Sequence, residues 1–186
     1  MAENGWKADI GRIRVFDAPH RGLAMGHNIT AVIGTADVIS RVMAAAGCPS
    51  PTELRFGLQI APLGHQQIDQ LTQLQPGERF AEFRALSAGL QNALQDAAGE
   101  SVLAYIETNY FGGAGSQAAA VLRGDRVLMR AAIPVTRNPA QKDDPINSAL
   151  RMLGVPTTAG EDEFDTLGLR RFRDLETLGL DDWDDE

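Results

Sequence analysis

The stretch Ser101 to Arg123, SVLAYIETNYFGGAGSQAAAVLR, limits the choice of folds more than any other part of the chain. Val102 to Ile106 form an unbroken apolar run, without the alternation of a strand that is wet on one face. Such a run suits a strand covered on both sides, near the middle of a sheet. Tyr105 and Ile106 also favour the pleated backbone over a helix. Glu107, Thr108, Asn109, Tyr110 and Phe111 then bring polar and aromatic groups to the strand's end, ahead of Gly112, Gly113 and Gly115. Beyond the glycines, Gln117 to Leu122 fits either a short helix or a second strand. A strand, a glycine loop and a helix would cradle a phosphate on backbone N–H groups. Only eight residues separate Gly115 from Gly124, however, and a crossover between parallel strands takes a dozen or more. The spacings of the known phosphate-binding glycine loops are also missing. Arg123-Gly124-Asp125-Arg126 reads as a two-residue hairpin turn, with Val127, Leu128 and Met129 returning. The antiparallel meander is the better fit.

The flanking segments supply helices and further strands. Ile29 to Ile33 reads as a strand ended by Gly34, and Thr35 as the cap of a helix with Val38, Ile39, Val42, Met43 and Ala46 on one face. Gly47 closes that helix. Leu54 to Leu63 alternates like a half-wet strand. His65 to Leu74 has a helical pattern with Ile68, Leu71 and Leu74 inward, and Pro76-Gly77 stops it. Glu78 to Ala98 reads as the longest helix, with Phe80, Phe83, Leu86, Leu90, Leu94 and Ala97 along one side. Thr136 to Lys142 is a polar loop. Asp144-Pro145 opens another helix, proline at its first position costing no hydrogen bond. Asp162 to Leu180 forms a closing clasp. Strands and helices do not alternate, so the expected class is α+β, a mostly antiparallel sheet with helices packed on one face. Residues 25–186 make one domain of this kind with an acidic C-terminal tail, and residues 1–24 a peripheral N-terminal extension.

Composition narrows the function classes. With 186 residues, 44% hydrophobic and 23% charged, the chain resembles an ordinary soluble globular domain. The N-terminus lacks the pattern of a secretory signal and no apolar run is long enough to span a bilayer, so a cytoplasmic location and no membrane partner are expected. The net charge is −8 and the pI near 4.9, which argues against nucleic acid. The acids gather in Glu161-Asp162-Glu163 and in Asp181 to Glu186, and an acidic surface complements a basic protein partner. Cys48 is the single cysteine and has no basic neighbour in sequence to activate it. His20, His27 and His65 lack metal-ligand spacing, and Asp162, Glu163 and Asp165 lack that of a calcium loop. No cofactor and no metal are expected.

The best site candidate is the rim of the glycine loop: Glu107, Asn109, Tyr110 and Gln117. Glu107 and Asn109 share one face of an extended strand, and a carboxylate beside a loop is a candidate acid or base. A carboxylate in such a place more often binds backbone donors, and no nucleophile or second carboxylate accompanies it, so no catalytic residue is assigned. His27, at the start of a strand, is a second candidate base, against the commoner role of an ordinary hydrogen bond.

The segments YIETNYFGG with GSQAAAV, PINSALRMLGV, and DEFDTLGL followed by RRFRD resemble a family of small uncharacterised bacterial proteins, some regarded as immunity-like partners that neutralise a toxin. The resemblance covers about Met25 to Trp183 and carries no catalytic residue. It implies a non-enzymatic intracellular module that binds another protein. The alternative is a small hydrolase or small-ligand-binding domain with its site at the Glu107–Gln117 loop.

Overall fold

A computed structural model describes residues 26–48, 50–111, 114–135, 144–157 and 159–180. The N-terminal extension, the glycines at 112 and 113, the polar loop at 136–142 and the acidic tail lie outside the described residues.

Six strands form one antiparallel sheet in the order β2-β3-β1-β4-β5-β6. They are β1 (His27–Thr35), β2 (Thr52–Glu53), β3 (Leu58–Pro62), β4 (Leu103–Phe111), β5 (Ala114–Arg123) and β6 (Arg126–Val135). The stretch at 101–123 is the expected meander, and both halves of it are strand. β4 lies inside the sheet between β1 and β5, which is why its apolar run is continuous. Gly115 faces Tyr110 across the β4–β5 pair. A Cβ there would come within 2.1 Å of the Asn109 carbonyl oxygen, so only glycine lets the strands approach at this end.

Side chains alternate between the two faces of a sheet, and both faces are covered. Val32, Leu103, Tyr105, Ala118, Ala120 and Leu122 belong to one apolar cluster, together with residues of α1 (Ala36–Ala46), α2 (His65–Thr72) and α3 (Ala88–Ala98). This is the front face. Ile29, Ala31, Ile33, Ala104, Ile106, Ala119 and Val121 point the other way, into a cluster with α4 (Pro145–Met152) and α5 (Glu163–Leu167). The α+β class and antiparallel sheet are as expected. α1 to α3 do gather on one face, while the C-terminal clasp adds a second layer behind. The three consecutive alanines of β5 keep the sheet thin where α3 and α4 approach from opposite sides.

Three expectations need correction. β3 is buried along its whole length rather than half-wet, because both layers cover it, and Arg55–Gly57 forms a tight turn before it. Leu74 is 75% exposed rather than inward, since Gln73 and Leu74 take left-handed backbone that turns the chain away at the end of α2. The long helix at 78–98 begins only at Ala88. Ser87 caps it, its hydroxyl accepting from the Leu90 N–H at 3.2 Å, and residues 79–87 form a loop in which the amides of residues 84–86 are bound outside it. No helix among the described residues is long and apolar enough to cross a membrane.

Among the described residues β6 is an edge strand, and Val127, Leu128 and Ile133 on it are about 40% exposed. Its pairing with β5 shifts by one residue between Val121 and Leu122, leaving Leu128 as an extra residue.

Leu103 and Ile106 are fully buried on opposite faces. Each truncated to alanine should cost about 2–5 kcal/mol in denaturant unfolding. The two losses should be close to additive, because the strand separates the sites.

Candidate functional site

The register of the sheet decides which candidates meet. Thr30 pairs with Glu107 and Asn28 with Asn109 across β1 and β4, and Ser116 with Asn109 across β4 and β5. Cross-strand partners share a face, so Asn28, Thr30, Glu107, Asn109 and Ser116 form a polar patch at one end of the front. The 79–87 loop crosses over this patch.

Glu107 is only 5% exposed and binds the loop. Its Oε2 accepts from the Arg84 N–H at 2.7 Å. Its Oε1 accepts from Ala85 N–H at 2.8 Å, Leu86 N–H at 3.1 Å and the Tyr105 hydroxyl at 2.6 Å. Three successive amides enclosing one carboxylate make a concave anion cradle of backbone N–H groups, filled here by the protein's own side chain. Burial, and then the adjacent Glu107 charge, hold the Tyr105 phenol well above its ordinary pKa, so it stays a hydrogen-bond donor. Helix continuing through 84–86 would need these amides for its own ladder, which is the physical reason α3 starts late.

The Arg84 side chain is fixed by the sheet as well. Nη1 donates to Asn28 Oδ1 at 2.5 Å and Nη2 to Thr30 Oγ1 at 2.8 Å. Next to it is a pocket of about 230 Å³, lined by Glu82, Arg84, Glu107, Asn109, Ser116, Gln117, Ala118, Ala132 and Ile133. Arg130 borders this region, 3.7 Å from the Glu82 carboxylate and stacked 3.8 Å over the Phe80 ring.

Glu107, Asn109 and Gln117 thus all line the pocket, but Gln117 does so from a strand position of opposite parity. It pairs with Thr108 and Ile133, on the back. Tyr110 is also on the back, stacked on His27 with ring centroids 5.3 Å apart. The four residues expected to form one rim are divided between two faces, because 107 and 109 differ in parity from 110 and, across the strand pair, from 117.

His27 is the centre of the rear cluster. Its Nδ1 shares a 2.7 Å hydrogen bond with the Thr108 hydroxyl, which also accepts from the Ile29 N–H at 3.0 Å. Phe164 packs against the ring at 5.4 Å, and the Asn28 N–H donates to the Arg173 carbonyl at 2.7 Å, tying the C-terminal clasp to β1. Burial lowers the His27 pKa to about 4, with Arg173 acting in the same direction and the Leu169 backbone and Asp174 opposing.

The remaining candidates serve the fold. Asp162 caps α5 by accepting from the Asp165 N–H at 2.9 Å, and Glu163 is fully buried, 2.8 Å from Arg151. Asp165 pairs with Arg170. His65 opens α2 at the surface. Burial pushes the Cys48 thiol up to about 11, away from the reactive thiolate. Among the described residues, no group of three or more His, Cys, Asp or Glu is placed to hold a metal ion.

Sequence reasoning missed Arg84, Asn28, Thr30, Glu82 and Ser116. Asn28 and Thr30 were within reach, since β1 and β4 are both strands with polar residues at alternate positions near one end. Arg84 was hidden inside an apparent helix. Compared with protein-family models, curated proteins and solved structures, the chain matches none of them.

Two outcomes follow from this geometry. Glu107→Ala should lower stability by on the order of 2–4 kcal/mol by leaving several buried donors unsatisfied. Hydrogen exchange should then show lost protection at the Ala85 and Leu86 amides. His27 has a folded pKa below its ordinary 6.5, so the unfolded chain binds the proton more readily. The stability it contributes is whole above about pH 6.5 and is lost as pH falls toward 4, on the order of 2–3 kcal/mol over that window. Urea unfolding across this range should show a steeper decline for the unaltered chain than for His27→Phe.

Proposed function

We propose that the chain is a non-enzymatic protein-binding module of the immunity type, and that its contact surface is the end of the sheet formed by β4, β5, β6 and the 79–87 loop. The observation that carries this reading is the commitment of Glu107. This carboxylate, the best candidate acid or base in the chain, has both oxygens occupied by four donors. Around it Asn109, Ser116 and Arg84 are exposed, beside the half-buried apolar Ala132 of β6. A rigid patch that mixes apolar and hydrogen-bonding groups suits recognition. The expectation of a basic partner rests on residues 181–186, because Asp162 and Glu163 are engaged within the fold.

The small-ligand alternative has one observation in its favour, the pocket beside Arg84. Affinity capture from the native host separates the two readings. The unaltered chain and Glu100→Lys, in the turn before β4 and far from this surface, should retain a protein partner that Ser116→Trp and Ala132→Glu lose. In binding kinetics, Asn109→Ala should mainly speed dissociation. A chain that captures no protein and instead retains a small molecule beside Asn109 would replace this reading with the ligand site.

A further inference from the structure

We infer that the pocket between the 79–87 loop and the ends of β4 and β5 recognises a carboxylate, the side chain of an aspartate or glutamate presented by the protein partner. This rests on the protein-binding reading above and adds the chemistry of the contact.

Arg41, Arg123, Arg130, Arg151 and Arg170 each have a carboxylate within 4.0 Å. The Arg84 side chain, like those of Arg55, Arg79 and Arg171, donates to neutral oxygens, here Asn28 Oδ1 and Thr30 Oγ1, and of these four it is the one that lines the pocket. A guanidinium has five N–H donors, and these two bonds use one on each terminal nitrogen. Donors are left over, and the group that carries them is already oriented by the sheet. A ligand therefore meets an ordered cation and does not have to bear the entropy of ordering a free arginine.

The acids nearby do not take this role. Glu107 is filled by three amides and Tyr105, and Glu82 is beside Arg130. Their charges do select among anions. Glu82 and Glu107 both line the pocket with Arg84 and repel any anion, a phosphate dianion about twice as strongly as a carboxylate, so a single negative charge is the one that the spare N–H donors can offset. Asn109 and Ser116 offer further donors at the pocket's edge, and Ala118 and Ala132 supply an apolar wall for methylene groups. The volume of about 230 Å³ is below the roughly 300–1,000 Å³ of typical small-molecule sites, and suits one side chain better than a whole cofactor. The chain's net charge of −8 does not prevent this. Charges more than about 8 Å away are largely screened at physiological salt.

The test uses the full chain, labelled with ¹⁵N, and two blocked amino acids as probes: N-acetyl-glutamate N-methylamide and its glutamine counterpart. The acidic probe should give saturable shifts at the Asn109 and Ser116 amides, with the glutamine probe about tenfold weaker, as expected for loss of one charge-assisted contact. Arg84→Gln should abolish the preference, and Asn109→Asp, which leaves the loop clamp untouched, should weaken the acidic probe several-fold. Equal response to both probes, or no saturable shift up to about 50 mM, overturns the inference. So does partner capture that Asn109→Asp leaves unchanged, although the protein-binding reading would then survive. Probe binding by a chain that captures no partner overturns the assignment to a partner's side chain, and with it that reading.

Discussion

One buried carboxylate fixes the relation between the sheet and the helices in front of it. Glu107 is near the end of an interior strand, where a charge without partners would be costly. Its partners are the successive amides of residues 84–86 and the hydroxyl of Tyr105, two residues back on the same strand. Those bonds hold the 79–87 loop against β4, and the loop in turn delivers Ser87 as the cap of α3. Phe83 and Leu86, buried in the front cluster, are set down by the same turn. A polar interaction thus determines where an apolar layer begins.

The central meander was legible because its signals were redundant. The apolar run of β4, the shortness of the segment between Gly115 and Gly124 and the turn at Gly124-Asp125 all pointed to the same answer. The failure at 78–87 is instructive for the opposite reason. Phe80, Phe83 and Leu86 have helical spacing and are at least partly buried, yet they follow a loop whose amides are claimed by a residue more than twenty positions away. Local periodicity reports burial faithfully here and backbone geometry poorly. Likewise, strand parity alone puts Glu107 and Asn109 together and Tyr110 on the other face, whereas separating Gln117 from them required the register of β4 against β5. Arg84 had no sequence signal, because its importance comes from the two sheet oxygens that hold its side chain.

The two faces of the sheet end in different chemistry. In front, Asn28, Arg84, Asn109 and Ser116 are exposed beside a pocket, over the buried Glu107 and Thr30. Behind, His27, Thr108, Tyr110 and Phe164 close on one another beneath the C-terminal clasp. Strand alternation has separated a set of groups able to meet something external from a set that holds the last segment of the chain in place.

The irregularity in β6 bears on how the molecule avoids its own kind. A ten-residue, largely apolar strand that, among the described residues, has a neighbour on one side only is a template on which further strands can grow. The extra residue at Leu128 interrupts the even spacing of donors and acceptors along that border, and Pro134, near its far end, has no N–H to offer. Arg126 and Arg130 add like charges that would be brought together if two such borders met. The strand that widens the sheet therefore also carries features that disfavour pairing with a further strand.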